Sequence, residues 1–184
     1  MKIALFLGSF NPFHNGHLEV VKTALNDFKM DKVVIVPKMQ NDWEDEVIDI
    51  DKRSLIIINS LIRRKSIAFI PYTFEKDFEI YPYIIISNIE KELIPPYYTY
   101  ATLHALRNKY CNDEIFILTT DETLEHIPDW MHGGKIIEDY NFLVVDKPKD
   151  SILSSYIRDM IKRGGTINEC VSPNVVDLIK KYYE

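Results

Sequence analysis

Gly8-Ser9-Phe10-Asn11-Pro12-Phe13-His14-Asn15-Gly16-His17 joins two segments of different periodicity. Before it, the apolar run Ile3 to Leu7 is too short for an ordinary helix and reads as a buried strand. After it, Leu18, Val21, Ala24, Leu25 and Phe28 recur at helical spacing. The decad is therefore a strand-to-helix crossover, opened by a glycine and closed by two histidines. In an α/β protein such a crossover presents backbone amides and the positive end of a helix to an anion.

The residue types suit that role. Gly8 and Ser9 let the main chain approach a phosphate without a bulky branch in the way. Pro12 stiffens the turn, and Asn15 is placed to cap the helix. His14 and His17 lie within about one helical turn of each other, so both imidazoles can face one ligand. A metal is a second reading of the pair. A cation at a helix N-terminus opposes the macrodipole, however, and the decad holds no Cys or carboxylate to complete such a site. Two structural histidines are the plainest alternative. The strand, glycine turn and helix around them favour phosphate.

With 184 residues and 46% hydrophobic content, the chain is expected to form a single domain, residues 1–184. Its net charge of −6 argues against a general nucleic-acid binder, yet leaves a nucleotide ligand open because local residues set the field in a cleft. Cys111 and Cys170 form no CxxC pattern, which disfavours a disulfide or zinc framework and suits a reduced, cytoplasmic setting. No apolar run reaches membrane-spanning length and no cleavable leader is visible, so no membrane partner is expected. The acidic stretch Asn41 to Asp51 reads as a surface loop.

Val33 to Val36 is a second strand, so strand, helix and strand form a right-handed βαβ unit. Asp51 to Arg64 carries Leu55, Ile58, Leu61 and Ile62 at helical spacing. Ile67 to Ile89, rich in aromatic and β-branched residues, suggests strands interrupted by two prolines. Thr99 to Lys109 is a third helix with Thr99 as N-cap, and Ile115 to Leu118 and Phe142 to Val145 are buried strands. Ile152 to Lys162 and Pro173 to Tyr182 are closing helices, separated by the stop signal Gly164-Gly165, and this helical part from about 150 packs on the rest. The expected architecture is a Rossmann-like, doubly wound parallel α/β sheet with helices on both faces and ligands at the strand carboxyl ends.

The decad with Leu18 resembles the signature of the nucleotidylyltransferase superfamily, whose shared element is His-x-Gly-His. Its wording is most similar to the nicotinate (or nicotinamide) mononucleotide adenylyltransferases. Further stretches resemble that family in the same order. Tyr98-Thr99-Tyr100-Ala101-Thr102-Leu103 is similar to the segment whose amides hold the pyridine substituent. Ile117 to Trp130, with Asp121 and Leu124 before Pro128-Asp129-Trp130, resembles the loop where the Asp meets a ribose and the Trp stacks on the pyridine ring. Ser154-Ser155-Tyr156-Ile157-Arg158 resembles a serine-rich helix start that binds ATP phosphates.

The resemblance implies that His14, His17 and Arg158 are catalytic. It further implies that Gly8, Ser9, Phe10, Lys38, Asp121, Ser154 and Ser155 bind ATP, and that Asn11, Arg53, Tyr98, Thr99 and Trp130 bind the mononucleotide. Each match also has a plainer reading: Trp130 as a packing residue, Arg158 as a surface charge, Asp121 as a helix cap. His104, His126 and His132 read as structural or exposed.

Two departures stand out. The family's usual Pro-Pro-His-Lys-like segment is replaced by Pro37-Lys38-Met39-Gln40, with Lys38 as the substitute cation, and Thr119 occupies the place of a glycine. The Ile67–Ile89 stretch is also longer than the family pattern.

The implied reaction joins a pyridine mononucleotide to the α-phosphorus of ATP and releases pyrophosphate. Mg²⁺ would be held mainly by the ATP phosphates and water, with no dedicated protein metal site. The rival readings are a phosphopantetheine or cytidylyl transferase of the same superfamily, or a nucleotide-binding regulatory module without turnover. A homo-oligomer is left open, as is the choice between nicotinate and nicotinamide, with a lean towards the acid.

Overall fold

A computed structural model describes residues 1–39, 47–62, 77–146 and 152–184. Its centre is a pair of strands, β1 (Lys2–Gly8) and β2 (Lys32–Pro37), joined through helix α1 (Asn15–Asn26). Ile3 to Phe6 and Val33 to Val36 are buried on both faces, which is why these runs are continuously apolar rather than alternating. The two strands run parallel, with Gly8 opposite Pro37.

The chain continues through α2 (Ile50–Leu61), β3 (Phe78–Tyr81), β4 (Ile84–Ile86), a 3₁₀ turn at Ile89–Glu92, α3 (Thr99–Lys109) and β5 (Glu114–Thr120). Then come α4 (Asp121–His126), a 3₁₀ turn at Ile127–Asp129, α5 (Gly133–Asp139), β6 (Asn141–Val145) and α6 (Ser154–Lys162). A 3₁₀ turn at Pro173–Val175 and α7 (Val176–Tyr183) complete the order.

The six strands form one sheet in the order β3-β4-β2-β1-β5-β6. The chain passes from β1 outward through β2 to β4 and then returns through α3 to β5 on the other side of β1, so the carboxyl ends of β1, β2 and β5 flank the topological switch point. Helices cover both faces. On one, Val20, Val21, Ile57, Ile157, Ile161 and Ile179 from α1, α2, α6 and α7 bury Ala4, Phe6, Val33 and Ile35. On the other, Leu103, Leu106 and Ile136 from α3 and α5 bury Ile3, Leu5, Val34 and Val36. The expected doubly wound α/β sheet is therefore present.

Several local expectations change. The sheet is not wholly parallel: β3 pairs antiparallel with β4, because only the short Pro82-Tyr83 link separates them. His14, not Asn15, caps α1. Its backbone is extended (φ −142°, ψ 176°), while Asn15 enters the first turn and donates through N–H to the Cys170 carbonyl (2.9 Å) and through Nδ2 to that of Glu169 (3.0 Å). Tyr98, not Thr99, precedes α3 as its cap, because the Thr99 hydroxyl accepts from Lys38 instead.

The acidic stretch contributes its last two residues to the start of α2, where Asp49 Oδ1 accepts from Asp51 N–H at 2.8 Å. Residues 41–46 of it lie outside the described residues, as do 63–76 of the apparent insertion and the tail of the expected second helix. The closing helix divides into the 3₁₀ turn and α7.

Helix α5 is an addition that the sequence disguises with two glycines at its start. A Cβ on Gly133 would sit 1.9 Å from the Ile127 carbonyl oxygen, so the helix can begin there only with glycine. The Gly164-Gly165 stop works as expected. Gly164, at φ +69°, donates to Ile161 O and Gly165 to Met160 O, closing the last turn of α6.

Candidate active site

The turn leaving β1 is held in a shape few sequences could adopt. Phe10 takes a left-handed backbone (φ 49°) and buries its ring to 2% exposure, edge-on to Phe6 at 5.1 Å. A Cβ on Gly8 would meet that ring at 2.9 Å. Gly8 thus admits the Phe10 side chain, a role beyond main-chain approach to phosphate. Gly16 does the same for His14, whose ring atoms lie 3.0 and 3.1 Å from the position of a Cβ. Among the residues expected to bind ATP, Phe10 places its ring in the core, so only its backbone is left for ligand contact.

The two histidines are together at the start of α1. Their rings stack with centroids 3.7 Å apart. His17 is packed among three phenylalanines, at 6.1 Å from Phe6, 5.0 Å from Phe10 and 5.3 Å from Phe13. Its Nδ1 accepts the backbone N–H of His14 at 3.2 Å. An accepting Nδ1 carries no hydrogen, so the ring proton resides on Nε2, which is the donor this imidazole offers.

The carboxyl-terminal helices reach back to the same turn. Ser154 Oγ donates to the Pro12 carbonyl at 2.9 Å, and Arg158 donates to the Asn11 carbonyl at 2.6 Å. Tyr183 donates its hydroxyl to Asn11 Oδ1 at 2.6 Å. Asn11 is fully buried, and this bond turns its amide oxygen towards Tyr183 and its nitrogen away. Ser155 is exposed on the first turn of α6. Arg158, Lys162, Tyr182, Tyr183 and Glu184, with Val47 and Ile48, line a cavity of about 290 Å³ beside this turn. The sequence pattern points to Arg158 and the serines but gives no sign of Tyr183, whose hydroxyl does its work 172 residues from its partner.

On the other flank, Lys38 follows β2 and donates through Nζ to Thr99 Oγ1 at 2.7 Å, joining the substitute cation to the Tyr98–Leu103 segment. Tyr98 is 37% exposed at the head of α3. Tyr100 contacts His132 at 5.2 Å between ring centroids, so the α3 start meets the loop that carries Trp130. Trp130 is half-buried against the Leu103 and Ile127 cluster. Asp121 is exposed at the end of β5, and the capping reading passes to Thr120, which accepts the Thr123 N–H at 3.3 Å. Thr119 is buried. His104, His126 and His132 are exposed.

Arg53 stands beneath the site rather than in it. It is 1% exposed, and its guanidinium donates to Ile48 O (2.8 Å), Ser9 O (2.5 Å) and Lys38 O (2.8 Å). The residue expected to touch the mononucleotide therefore ties the turn after β1 to the turn after β2. Glu90, fully buried in the 3₁₀ turn after β4, was not visible as a site residue. Its carboxylate accepts from Met39 N–H at 2.5 Å and Thr102 Oγ1 at 2.7 Å. Burial raises its pKa above the ordinary value; those two hydrogen bonds and the charges of Lys38 and Arg53 pull the other way.

The donor set around the signature turn is imidazole, guanidinium, ammonium, hydroxyl and backbone amide. Such groups stabilise phosphate oxygens. Among the described residues, no group of three or more His, Cys, Asp or Glu could hold a metal ion. No helix among them is long and apolar enough to cross a membrane.

Comparison with known proteins agrees with this geometry. A probable nicotinate-nucleotide adenylyltransferase of Cytophaga hutchinsonii is 28% identical, over 100% of this chain and 98% of that one. One from Campylobacter jejuni is also 28% identical, over 100% and 97%. A putative nicotinate-nucleotide adenylyltransferase from Vibrio parahaemolyticus shares the fold at a TM-score of 0.75 and 20% identity, covering 100% of this chain and 96% of that one. The Plasmodium falciparum nicotinic acid mononucleotide adenylyltransferase complexed with NaAD superposes at a TM-score of 0.69 and 18% identity, over 98% and 95%. The cytidylyltransferase-like family matches residues 5–163, and with a histidine pair, glycine turn and serine-arginine helix converging at one sheet end, the chain belongs to that family.

Proposed function

We propose that the chain transfers the adenylyl group of ATP to nicotinate mononucleotide, giving nicotinate adenine dinucleotide and pyrophosphate in the biosynthesis of NAD. The observation that carries this reading is the stacked His14–His17 pair at the N-terminus of α1, on a turn held from behind by Ser154 and Arg158. The relatives' names favour the pyridine acid as acceptor over a phosphopantetheine or cytidylyl substrate.

The mononucleotide phosphate, with its second pKa near about 6, is already anionic at neutral pH and needs no strong base. One of its oxygens forms the new bond to the α-phosphorus. The bond between that phosphorus and the bridging oxygen breaks, and its electron pair leaves with pyrophosphate. Catalysis is positioning and charge stabilisation during in-line displacement. The Nε2–H of His17 and the His14 ring donate to phosphate oxygens at the positive end of α1. Arg158 and Ser155 hold the departing phosphates on the cavity side, Ser154 spends its hydroxyl proton on the Pro12 carbonyl of the turn, and Lys38 serves the flank nearer Thr99. Mg²⁺ would accompany ATP as the MgATP substrate and would supply neutralisation of the triphosphate charge, held mainly by the phosphates and water.

The test is pyrophosphate release from MgATP with nicotinate mononucleotide, nicotinamide mononucleotide and phosphopantetheine, and with CTP replacing ATP. Turnover is expected with ATP and the pyridine acid at the highest kcat/KM. Release with none of them rejects the reading in favour of a binding module.

Trp130 supplies a second check. Stacking on an electron-poor ring contributes about 0.5–2 kcal/mol, so Trp130→Ala should raise KM for the mononucleotide about two- to thirtyfold. The kcat should change little, because stacking is common to ground and transition states. An unchanged KM would leave Trp130 as a packing residue of the Ile127 cluster.

A further inference from the structure

Glu90 is a charged side chain at 0% exposure that the adenylyl-transfer chemistry does not use. Burying a carboxylate is costly unless it is hydrogen-bonded. Its partners lie on two different elements of the site. Oε2 takes the N–H of Met39, at the end of β2, and Oε1 takes the hydroxyl of Thr102, on the first turn of α3. Lys38 closes the ring by reaching from the same β2 end to Thr99 on the same α3 turn. The Lys38–Met39 pair is further fixed by Lys38 N–H to Gly8 O at 3.0 Å and by Arg53 to Lys38 O. The ring thus connects the phosphate turn with the segment expected to hold the pyridine.

We propose that Glu90 is a positioning residue that locks Lys38 and the Tyr98–Thr102 segment into one unit, so that mononucleotide binding depends on it. The inference rests on the adenylyl-transfer reading. Glu90 touches no substrate itself; it fixes the direction in which the Met39 peptide, and hence Lys38, faces the α3 start. Geometry rather than charge is the working element. A glutamine can still accept from Met39 N–H while its amide donates to Thr102 Oγ1, reversing only that bond.

The experiment measures Kd for nicotinate mononucleotide and for MgATP by calorimetry, with thermal melting, on wild type, Glu90→Ala, Glu90→Gln, Thr102→Val and the Glu90→Ala/Thr102→Val pair. Loss of both bonds should weaken mononucleotide binding about tenfold in Glu90→Ala, with MgATP within about twofold. Glu90→Gln should stay within about threefold of wild type for both ligands. Thr102→Val should weaken the mononucleotide in the same direction, and the double variant should be no worse than Glu90→Ala. Should Glu90→Ala fail to fold, Thr102→Val and Glu90→Gln carry the test.

Equal losses for both ligands, a Glu90→Gln protein as impaired as Glu90→Ala, or unchanged mononucleotide binding in folded Glu90→Ala and Thr102→Val would each overturn the proposal. Failure of the underlying functional reading would show separately, as wild-type protein that binds no pyridine mononucleotide, and would overturn the proposal with it.

Discussion

His17→Ala should lower kcat by about a hundredfold to a thousandfold, the scale of removing one preorganised donor to a developing oxyanion. His17 is held on every side that bears on its orientation. Phe6, Phe10 and Phe13 set the plane of the ring, and the His14 N–H occupies Nδ1, which assigns the proton to Nε2. Such a ring needs little reorganisation when charge shifts onto the phosphate oxygens. Truncation to alanine also removes packing from the phenylalanine cage, so the donor must be separated from the filler. His17→Phe does that: it keeps an aromatic ring among the three phenylalanines and loses the N–H. Both variants should show the same fall in kcat at saturating substrate, measured as pyrophosphate release, while melting separates any loss of fold. Near-normal turnover in a folded His17→Phe protein would remove the imidazole from the mechanism.

What was legible in the sequence was what local pattern controls. The continuous apolar runs of β1 and β2 and the helical spacing of α1 and α3 follow from burial on one or both faces, and α3 runs over Thr99–Lys109 as its spacing indicates. The histidine pair and the Ser154–Arg158 helix start are local motifs, and the fold brings both to the turn after β1. What was hidden depends on contacts distant in sequence. Asn15 has the chemistry of a cap, but carbonyls of Glu169 and Cys170 draw it into the helix. Glu90 lies in the charged run Glu90-Lys91-Glu92, which looks like surface until β2 and α3 close over it. Tyr183 is one of two adjacent tyrosines on an amphipathic helix, and nothing nearby distinguishes the one that reaches Asn11.

Arg53 shows the same limit most sharply, and its replacement should be the most damaging to stability. A ligand-contacting arginine can be truncated with little loss of fold, whereas this one spans the carbonyls of Ile48, Ser9 and Lys38 from a buried position. Each carbonyl left without its donor costs about 1–3 kcal/mol, so Arg53→Ala should lose about 3 kcal/mol or more. For a chain of this size that lowers Tm by about 6–12 °C. Arg53→Lys keeps the charge but offers its donors from a single nitrogen, which cannot reach three carbonyls aligned for a planar fork. It should therefore recover only part of the loss. The turns after β1 and β2 are released together, so KM should rise for ATP and for the mononucleotide alike, measured where the variants remain folded. A protein with wild-type Tm and a raised KM for the mononucleotide alone would return Arg53 to the role of direct ligand that the family resemblance implies.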